Sequence, residues 1–343
     1  MHHDYLGIEI TLTKYSMSSN SIAILVNWNS AELLKECILA LTHQSVPFKS
    51  LIVIDNASRD NSIEGIKELS EDITLIELEE NRGFAGANNL GIFEAGKCDW
   101  IALVNPDAFP EPNWLAQLLD VAIRHPEYAF FGSRMLSAND PTRLDGTGDI
   151  YHTSGLAWRR GYGRLAKGRD LEMQEIFSPC AAAALYRRDA FLEVGGFDES
   201  YFCYFEDVDL GFRLRLAGYR CLYVPEAIVP HIGSAIAGKH SDFTVYHGHR
   251  NLVWTYFKNM PWPLFWLYLP QHILLNLTSL LWFTLRGQGR VIFKAKWDAL
   301  KGLPRILRER RQVQARRRAG ALDLRRIMAK GLLMPYFWRD RVD

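Results

Sequence analysis

Apolar runs of strand length alternate with helical segments along the first third of the chain. Strands are predicted at 21–27, 51–55, 73–78 and 100–105, and helices at 29–44, 62–69, 86–96 and 112–124. Asn29, with Glu32 three residues later, resembles a capping box at the first helix, and Pro112 opens the last one. This alternation is typical of an α/β fold with a mainly parallel sheet and helices on both faces. The strands are apolar throughout, which indicates burial on both sides.

The alternation ends after the fourth strand and helix. Residues 137–177 mix glycine, arginine and aromatic residues without a period, so we expect long functional loops there. Periodicity returns at 206–217, where Val208, Phe212 and Leu216 recur at every fourth position. That spacing predicts one more helix.

An aromatic stretch at 259–285 contains no Asp, Glu, Lys or Arg and is long enough to span a bilayer. Pro261, Pro263 and Pro270 interrupt it, so we expect a membrane-associated segment that lies in the interface or re-enters it. The alternative is a buried pair of helices packed on the main body.

Charge is distributed unevenly, although the whole chain carries a formal net charge of only +1. Residues 286–343 hold 17 Lys and Arg against 5 Asp and Glu. Such a basic tail favours an anionic surface as partner. Because the tail follows an uncharged aromatic stretch, as a juxtamembrane segment does, a membrane is favoured over nucleic acid.

The length of the chain and its cysteines indicate how large a core it can bury and in which compartment it works. With 343 residues, 48% of them hydrophobic, the chain can bury one large core, or one core and an appendage. The five cysteines include no C-x-x-C pair and indicate reduced thiols in a cytosolic compartment. Residues 1–20 lack a continuous apolar run, so we expect a loose extension and no secretory signal.

Acidic residues follow two of the predicted strands. Open α/β sheets bind ligands at the carboxyl ends of their strands, so Asp55 is a candidate contact for a ribose or a base edge. Asp107, two residues after Asn105, is a candidate ligand for Mg²⁺ or Mn²⁺, which would bridge the protein to a diphosphate. The alternatives are a turn-capping carboxylate at Asp55 and a plain proline turn at 105–107.

The segment Asn81-Arg-Gly-Phe-Ala-Gly-Ala-Asn-Asn places two glycines between a strand and a helix. Backbone could approach a ligand closely there, and a helix N-terminus favours phosphate. The alternative is a tight turn. The segment matches neither the G-x-G-x-x-G pattern nor a P-loop, so dinucleotide and ATP binding are not indicated.

Three carboxylates, Glu206, Asp207 and Asp209, begin the last predicted helix, where the helix dipole favours them in any case. A carboxylate among like charges has a raised pKa, which suits a general base. Downstream, His231 is a candidate contact for a metal or a phosphate, with a structural histidine as the alternative. Arg250 is a candidate partner for a diphosphate, with a surface salt bridge as the alternative.

Taken together, these segments resemble the family 2 inverting glycosyltransferases of the GT-A fold, and especially their bacterial rhamnosyltransferase-like branch. The resemblance covers about 21–259. The matching segments are Asn27-Trp-Asn, Ile54-Asp-Asn-Ala-Ser, Asn81-Arg-Gly-Phe-Ala-Gly-Ala-Asn-Asn, Asn105-Pro-Asp-Ala, Gly195-Gly-Phe-Asp-Glu and Glu206-Asp-Val-Asp-Leu.

The resemblance implies a role for individual residues. Asp207 would be the catalytic base, and Asp107 and His231 would hold Mg²⁺ or Mn²⁺. The residues with an implied role in donor binding are Asn27, Asp55, Asn81, Gly83, Asn88 and Arg250. The donor would be a nucleotide sugar, with dTDP-L-rhamnose favoured in this branch and UDP-galactose or UDP-glucose left open.

Two departures from the family pattern change what we expect of metal binding and of the number of sugars added. Asn105 replaces the first acid of the usual D-x-D, which predicts weak metal binding without the nucleotide. The run Tyr246-His-Gly-His-Arg-Asn differs from the Q-x-x-R-W of processive synthases, which favours addition of a single sugar.

The expected organisation is a GT-A catalytic domain at 21–258, a membrane-associated segment at 259–285 and a basic helical tail at 286–343. A single span would separate a cytosolic donor site from the basic tail, which favours a peripheral or monotopic enzyme on the cytoplasmic face of the inner membrane. Its acceptor would be a lipid-linked or cell-surface glycan. The alternatives are a sugar-nucleotide pyrophosphorylase, disfavoured because no Gly-rich basic loop follows the first strand, and a non-catalytic membrane-binding adaptor.

Overall fold

The computed structural model describes residues 20–233 and 241–332. Most of the predicted N-terminal extension and the end of the basic tail lie outside these residues. The strands are β1 (Ser21–Asn27), β2 (Ser50–Asp55), β3 (Ile73–Glu77), β4 (Trp100–Val104), β5 (Tyr128–Ser137), β6 (Asp140–Gly146), β7 (Asp149–Tyr151), β8 (Ala157–Arg159), β9 (Gln174–Glu175), β10 (Ala183–Arg187) and β11 (Arg220–His231). The helices are α1 (Glu32–Thr42), α2 (Gly83–Glu94), α3 (Trp114–Arg124), α4 (Arg188–Glu193), α5 (Glu206–Leu216), α6 (Asp242–Asn259), α7 (Trp262–Leu285), α8 (Gly289–Ala315) and α9 (Ala321–Ile327).

In the described part of the chain, nine strands form one sheet. Their order is β3-β2-β1-β4-β10-β5-β11-β9, with β6 paired to β5. Strands β1 to β4 are parallel, and so are β5 and β11. Strand β10 lies antiparallel between β4 and β5. The predicted mainly parallel α/β fold is confirmed.

Alternate residues of the central strands face two separate cores, which explains why these strands are apolar throughout. In β1, Ala23 and Leu25 pack with residues of α1 and α3 on one face. Ile22 and Ile24 pack with residues of α2 and α5 on the other face. Helices therefore cover both faces, and the carboxyl edge of the parallel strands is the place where such sheets bind ligands.

Two local predictions near the start of the chain are wrong. Asn29 does not cap the first helix, because its Oδ1 accepts a hydrogen bond from the Arg59 N–H at 2.7 Å instead. Helix α1 begins at Glu32 without a side-chain cap. The helix predicted at 62–69 is only a 3₁₀ turn at Ile66–Glu68.

The loops predicted at 137–177 are also wrong. This segment contains β6, which pairs with β5, and the separate hairpin of β7 and β8. Strands β7 and β8 have three residues each. A period of two residues does not show over so short a run, so the pattern gave no strand signal.

The helices after β11 pack against the sheet domain and one another. Trp254 of α6 shares a buried cluster with Ala299 and Ile306 of α8. Phe265 of α7 shares another with Phe212 of α5. Among the described residues, α7 is the helix that is long and apolar enough to cross a membrane by length and composition.

Candidate functional site

Asp55 ends β2 beside Asn27, which ends the neighbouring β1. Asn27 Nδ2 donates to Asp55 Oδ1 at 2.8 Å. The Ser58 N–H donates to Asp55 Oδ2 at 3.1 Å, so Asp55 also caps the following turn. Asn27 Oδ1 is buried and has no hydrogen-bond partner among the described residues. The two buried strands thus end in a pair of polar side chains, and the Oδ1 atom of Asn27 can accept a hydrogen bond from a ligand.

The residues that begin α2 are fixed beside this pair by Asn56. Its Nδ2 donates to Asn81 Oδ1 at 3.0 Å, and the same oxygen accepts from the Gly83 N–H at 2.8 Å. Gly83 has a φ of 70°, and a Cβ there would collide with the carbonyl oxygen of Phe202, so this position requires glycine. Asn88 is buried and donates to a backbone carbonyl one turn earlier in α2 at 2.9 Å.

Asp107 and His231 come together because the chain after β4 crosses the end of β11. Ala108 forms a β-bridge with His231, and the Ile232 N–H donates to the Asp107 carbonyl at 3.0 Å. His231 Nε2 lies 3.3 Å from Asp107 Oδ1, and both side chains are buried. Burial acts to raise the pKa of Asp107, but the hydrogen bond and charge of His231 lower it. The two residues of the predicted metal site therefore lie in direct contact.

Asp145 and Arg159 join this pair and are not among the predicted site residues. His231 Nδ1 lies 2.7 Å from Asp145 Oδ2, and Arg159 pairs with the same carboxylate. The charge of Arg159 also favours the ionised forms of Asp107 and Asp207, so one guanidinium serves both parts of the site. The sequence did carry a signal, two acidic residues in the glycine-rich run Asp145-Gly-Thr-Gly-Asp.

The chemistry of the Asp107–His231 pair fits a divalent cation. Carboxylate oxygen and imidazole nitrogen are common Mn²⁺ ligands, and Mg²⁺ is often held by one or two carboxylates together with substrate phosphates. No group of three or more metal-ligating side chains occurs in the described ranges. Two protein side chains would therefore leave the other coordination positions of such an ion to groups from outside the protein. Burial acts to lower the pKa of His231, but hydrogen bonds to Asp107 and Asp145 raise it, so a metal would have to displace a proton.

A strained turn precedes α5 and its carboxylates. Phe202, Tyr204 and Phe205 have φ angles of 66°, 67° and 68°. Each such residue costs about 1–3 kcal/mol, and such strain persists only where surrounding contacts hold it. The turn leads directly into α5, whose first turn carries Asp207.

Asp207 accepts hydrogen bonds from two backbone groups. The Val208 N–H lies 2.8 Å from Oδ1, and the Ala181 N–H lies 3.4 Å from Oδ2. Burial raises the pKa of Asp207, and these hydrogen bonds oppose the rise. Burial and the charge of Asp207 raise the pKa of Asp149 and of Glu206 well above their usual values. Of these three carboxylates, Asp207 is the one with two backbone hydrogen bonds and the charge of Arg159 acting against the effect of burial.

Asp209 belongs to a buried ion-pair network. Arg213 Nε and Lys258 Nζ each lie 2.8 Å from its carboxylate oxygens. Lys258 also lies 2.7 Å from Asp198 and 4.0 Å from Glu309. The network joins α5 to α6 and α8, so Asp209 has a structural partner for each of its oxygens.

Two residues of α6, Arg250 and Asn251, hold the strained turn. Asn251 Nδ2 lies 3.0 Å from the carbonyl oxygens of Tyr201 and Cys203, and 2.7 Å from that of Tyr204. Arg250 Nε donates to Asn251 Oδ1 at 2.9 Å, and Nη2 donates to the Tyr201 carbonyl at 2.9 Å. Contact of Arg250 with a diphosphate stays a prediction.

The chain is similar in sequence to known proteins. The family model described as Glycosyl transferase family 2 matches residues 22–195. The N-acetylglucosaminyl-diphospho-decaprenol L-rhamnosyltransferase of Mycobacterium tuberculosis (strain ATCC 25618 / H37Rv) is 29% identical over 242 residues, which cover 60% of this chain and 76% of the relative.

Two solved structures share the fold. The mannosyltransferase PcManGT from Pyrobaculum calidifontis, in complex with GDP-Man and Mn²⁺, has a TM-score of 0.53 and 17% identity, covering 88% of this chain and 86% of its own. GalNAc-T7 with UDP, GalNAc and Mn²⁺ has a TM-score of 0.58 and 15% identity, covering 70% of this chain. The chain spans about half of GalNAc-T7, at 48%. The predicted GT-A fold is confirmed.

Proposed function

Because the chain belongs to glycosyl transferase family 2, we propose that it transfers one sugar, with inversion, from a nucleotide-sugar donor to a lipid-linked or cell-surface glycan. The observation that carries this proposal is the cluster at the carboxyl edge of the sheet. There Asp107 and His231 lie in contact, and Arg159 links them through Asp145 to the charge of Asp207.

The donor is proposed to bind along the ends of β1, β2 and β4. Asp55 and Asn27 would contact the nucleoside, since Asn27 Oδ1 lacks a partner among the described residues. Asn81 and Gly83 would let the start of α2 approach the diphosphate. Asn88 supports this helix start through its hydrogen bond within α2.

As the donor, dTDP-L-rhamnose is favoured over a UDP-hexose because the M. tuberculosis relative is named as an L-rhamnosyltransferase.

Asp107 and His231 are proposed to hold Mg²⁺ or Mn²⁺. When bound, such an ion neutralises charge on the leaving diphosphate. Asp145 would accept the Nδ1–H of His231, so that Nε2, which lies 3.3 Å from Asp107 Oδ1, would be the ring nitrogen that binds the ion. Two protein ligands suit an ion that also needs the donor, in line with the weak nucleotide-free binding that Asn105 predicts.

Asp207 is proposed to act as general base. Its carboxylate takes the proton of the acceptor hydroxyl as that oxygen forms a bond to the anomeric carbon. The bond from the anomeric carbon to the diphosphate oxygen breaks on the opposite face, and its electron pair leaves with the nucleoside diphosphate. This displacement inverts the anomeric configuration. Arg159 supports it by favouring the ionised carboxylate.

A cytoplasmic-face, peripheral or monotopic location is proposed for the enzyme. The apolar α7 supports a membrane location, and the name of the M. tuberculosis relative specifies a diphospho-decaprenol acceptor. A lipid-linked acceptor would reach a site of this kind from the membrane surface.

The test separates donor binding from transfer. Calorimetry with dTDP, UDP and GDP, each with and without Mn²⁺, should show one preferred nucleotide whose metal-dependent binding is lost in Asp107→Ala. Asp207→Asn should keep that binding and lose sugar transfer, whereas Asp72→Asn, at an exposed carboxylate, should keep both. Transfer retained by Asp207→Asn would remove Asp207 as base, and failure to bind any nucleotide would favour the adaptor alternative.

A further inference from the structure

Helix α7 is attached along one side to the catalytic domain. His272 Nδ1 lies 2.8 Å from the Ser154 carbonyl oxygen, and Thr153 Oγ1 donates to Gln271 Oε1 at 3.1 Å. His272 is buried. These contacts lie at the middle of the helix, where a spanning segment would cross the centre of the hydrocarbon layer. A spanning orientation would carry the loop between β7 and β8 into lipid, where its backbone groups would lack partners.

The outer side of α7 is apolar and exposed. The large exposed residues are Trp262, Trp266, Leu267, Ile273, Leu274, Leu277, Leu281, Trp282 and Leu285. The helix has 24 residues and no charged side chain. At about 1.5 Å per residue it presents an apolar strip about 36 Å long. Such a strip is large for a protein surface in water and marks an interaction site.

Helix α8, in the segment predicted as a basic tail, continues this surface. Phe293, Trp297, Leu300 and Leu307 are exposed, the first three by more than half. Their spacing of four, three and seven residues puts them on one face of the helix. The opposite face is buried, because Ala299 and other small or apolar residues pack against α6. Helix α8 therefore has two apolar faces: one is buried against α6, and the other, the stripe of Phe293, Trp297, Leu300 and Leu307, is exposed.

Basic residues border the apolar surface. Lys294, Lys301 and Arg308 of α8 are exposed beside the stripe. Lys301 Nζ lies 5.4 Å from the centre of the Trp297 ring. Arg286, between the two helices, lies 4.2 Å from the centre of the Trp282 ring. Aromatic rings next to Lys and Arg are typical of helices that lie in the interface of an anionic membrane.

We propose that α7 and α8 together form a monotopic docking surface for an anionic bilayer, with both helices lying in the interface and neither spanning it. This inference deepens the membrane location proposed above and does not depend on the transfer chemistry. A second copy of the chain is a poorer occupant, since a twofold contact would bring the like-charged borders of two α8 helices together.

The docking surface is connected to the candidate catalytic helix by polar contacts. Lys258 contacts Asp209 of α5 at 2.8 Å and Glu309 of α8 at 4.0 Å. Trp254 Nε1 donates to the Ala299 carbonyl of α8 at 3.0 Å. Binding of α8 to a membrane would thus fix the orientation of the sugar-transfer site relative to the lipid surface.

Cosedimentation of the full chain with phosphatidylglycerol vesicles tests the apolar stripe. Trp297→Glu should weaken binding at least tenfold, since it places a charge in the apolar contact. Phe93→Glu is the matched control, because Phe93 is a 78% exposed aromatic residue on α2, away from both helices. It should bind vesicles like the wild type.

Replacing the basic residues beside the apolar stripe by neutral ones tests whether their charge contributes to membrane binding. Lys294→Gln with Lys301→Gln should weaken binding to phosphatidylglycerol about 25-fold at low salt, from about fivefold per charge, and leave binding to phosphatidylcholine unchanged. Nucleotide binding by calorimetry should be the same in every variant and reports folding independently of the membrane. If the wild type itself binds no nucleotide but still binds vesicles as described, the proposed function fails and the docking surface stands.

Three results would overturn the docking proposal. One is equal vesicle binding by Trp297→Glu and the wild type. Another is that the two ends of α7 are accessible from opposite sides of sealed vesicles, as a spanning helix requires. The third is a wild type that ignores vesicles and forms a dimer that Trp297→Glu dissociates, which would assign the surface to a second copy.

Discussion

Asn251 is expected to fix the position of Asp207 through the turn between them. Asn251→Ala removes the amide that lies within 3.0 Å of three carbonyl oxygens of that turn. The backbone there is strained at Phe202, Tyr204 and Phe205, so it should relax once this contact is lost. Sugar transfer should therefore fall much more than donor binding.

The size of the effect follows from the hydrogen bonds. An amide nitrogen has two hydrogens, so Asn251 supplies at most two full bonds to the three carbonyls. Each is worth about 0.5–1.5 kcal/mol, and a buried carbonyl left without a donor costs about 1–3 kcal/mol. Because Arg250 still donates to the Tyr201 carbonyl, we expect a loss of about 2–3 kcal/mol in the free energy of unfolding. A shift of about 1 Å at Asp207 would lower kcat about 100-fold.

The assay compares three quantities in one variant: unfolding in urea, donor binding by calorimetry, and the rate of transfer at saturating donor. Asn276→Ala is the control, since Asn276 Nδ2 donates at 2.7 Å to a carbonyl of its own helix, α7. It should leave transfer unchanged. If Asn251→Ala loses stability yet keeps its transfer rate, or if donor binding falls in parallel with the rate, the turn does not position Asp207.

Three further predictions concern buried charged groups. Asp145→Asn should weaken Mn²⁺ binding in the presence of nucleotide about 10–100-fold, measured by electron paramagnetic resonance, because His231 loses the carboxylate that orients it. Lys258→Met should lower the free energy of unfolding in urea by about 3 kcal/mol, since the buried Asp209 and the partly buried Asp198 lose a cation. Burial lowers the pKa of Lys296 to about 7. Below about pH 10 the unfolded chain therefore binds a proton at this lysine that the folded protein does not bind. The folded protein loses stability as the pH falls from about 10, and this loss is complete near pH 7. Lys296→Met should thus raise stability by roughly 2–4 kcal/mol at pH 7 and not at about pH 11, measured as a shift in Tm.

Each of these three predictions has a control variant and an outcome that would contradict it. Asp140→Asn, at an exposed carboxylate of β6, should leave Mn²⁺ affinity unchanged, and unchanged affinity in Asp145→Asn would count against its role. Lys294→Met, at an exposed lysine of α8, should change neither the urea midpoint nor its pH dependence. A loss below about 1 kcal/mol for Lys258→Met, or a gain for Lys296→Met that does not vary with pH, would contradict the corresponding argument.

The sequence by itself determined the four parallel strands β1 to β4 of the sheet and the polar residues at their carboxyl ends. Buried parallel strands need continuous apolar runs, and the residue that follows each run must lie at one edge of the sheet. That local rule placed Asn27 and Asp55 side by side, and Asp107 at the end of a neighbouring strand. The ordered motifs then identified the family, because each motif is a short segment that needs no knowledge of distant contacts.

Tertiary structure alone decided which side chains complete the site. Asp145 and His231 are 86 residues apart, and no local pattern pairs them. Asn251 holds a turn about 50 residues earlier, which the sequence could show only as part of an unmatched basic run. Contacts of this kind depend on how helices and strands pack, and packing is not encoded in the period of a single segment.

The same limit applied to the basic tail. Counting charges treats every Lys and Arg of 286–343 alike, yet the fold buries Lys296 and Arg310 against the domain and exposes Lys294 and Lys301 beside an apolar stripe. Net charge therefore indicated an anionic partner, whereas the pairing of α8 with α6 decided which face of the helix is left to meet it. The physical reason is that one helix has a single sequence but two faces, and only its neighbours determine which face is buried.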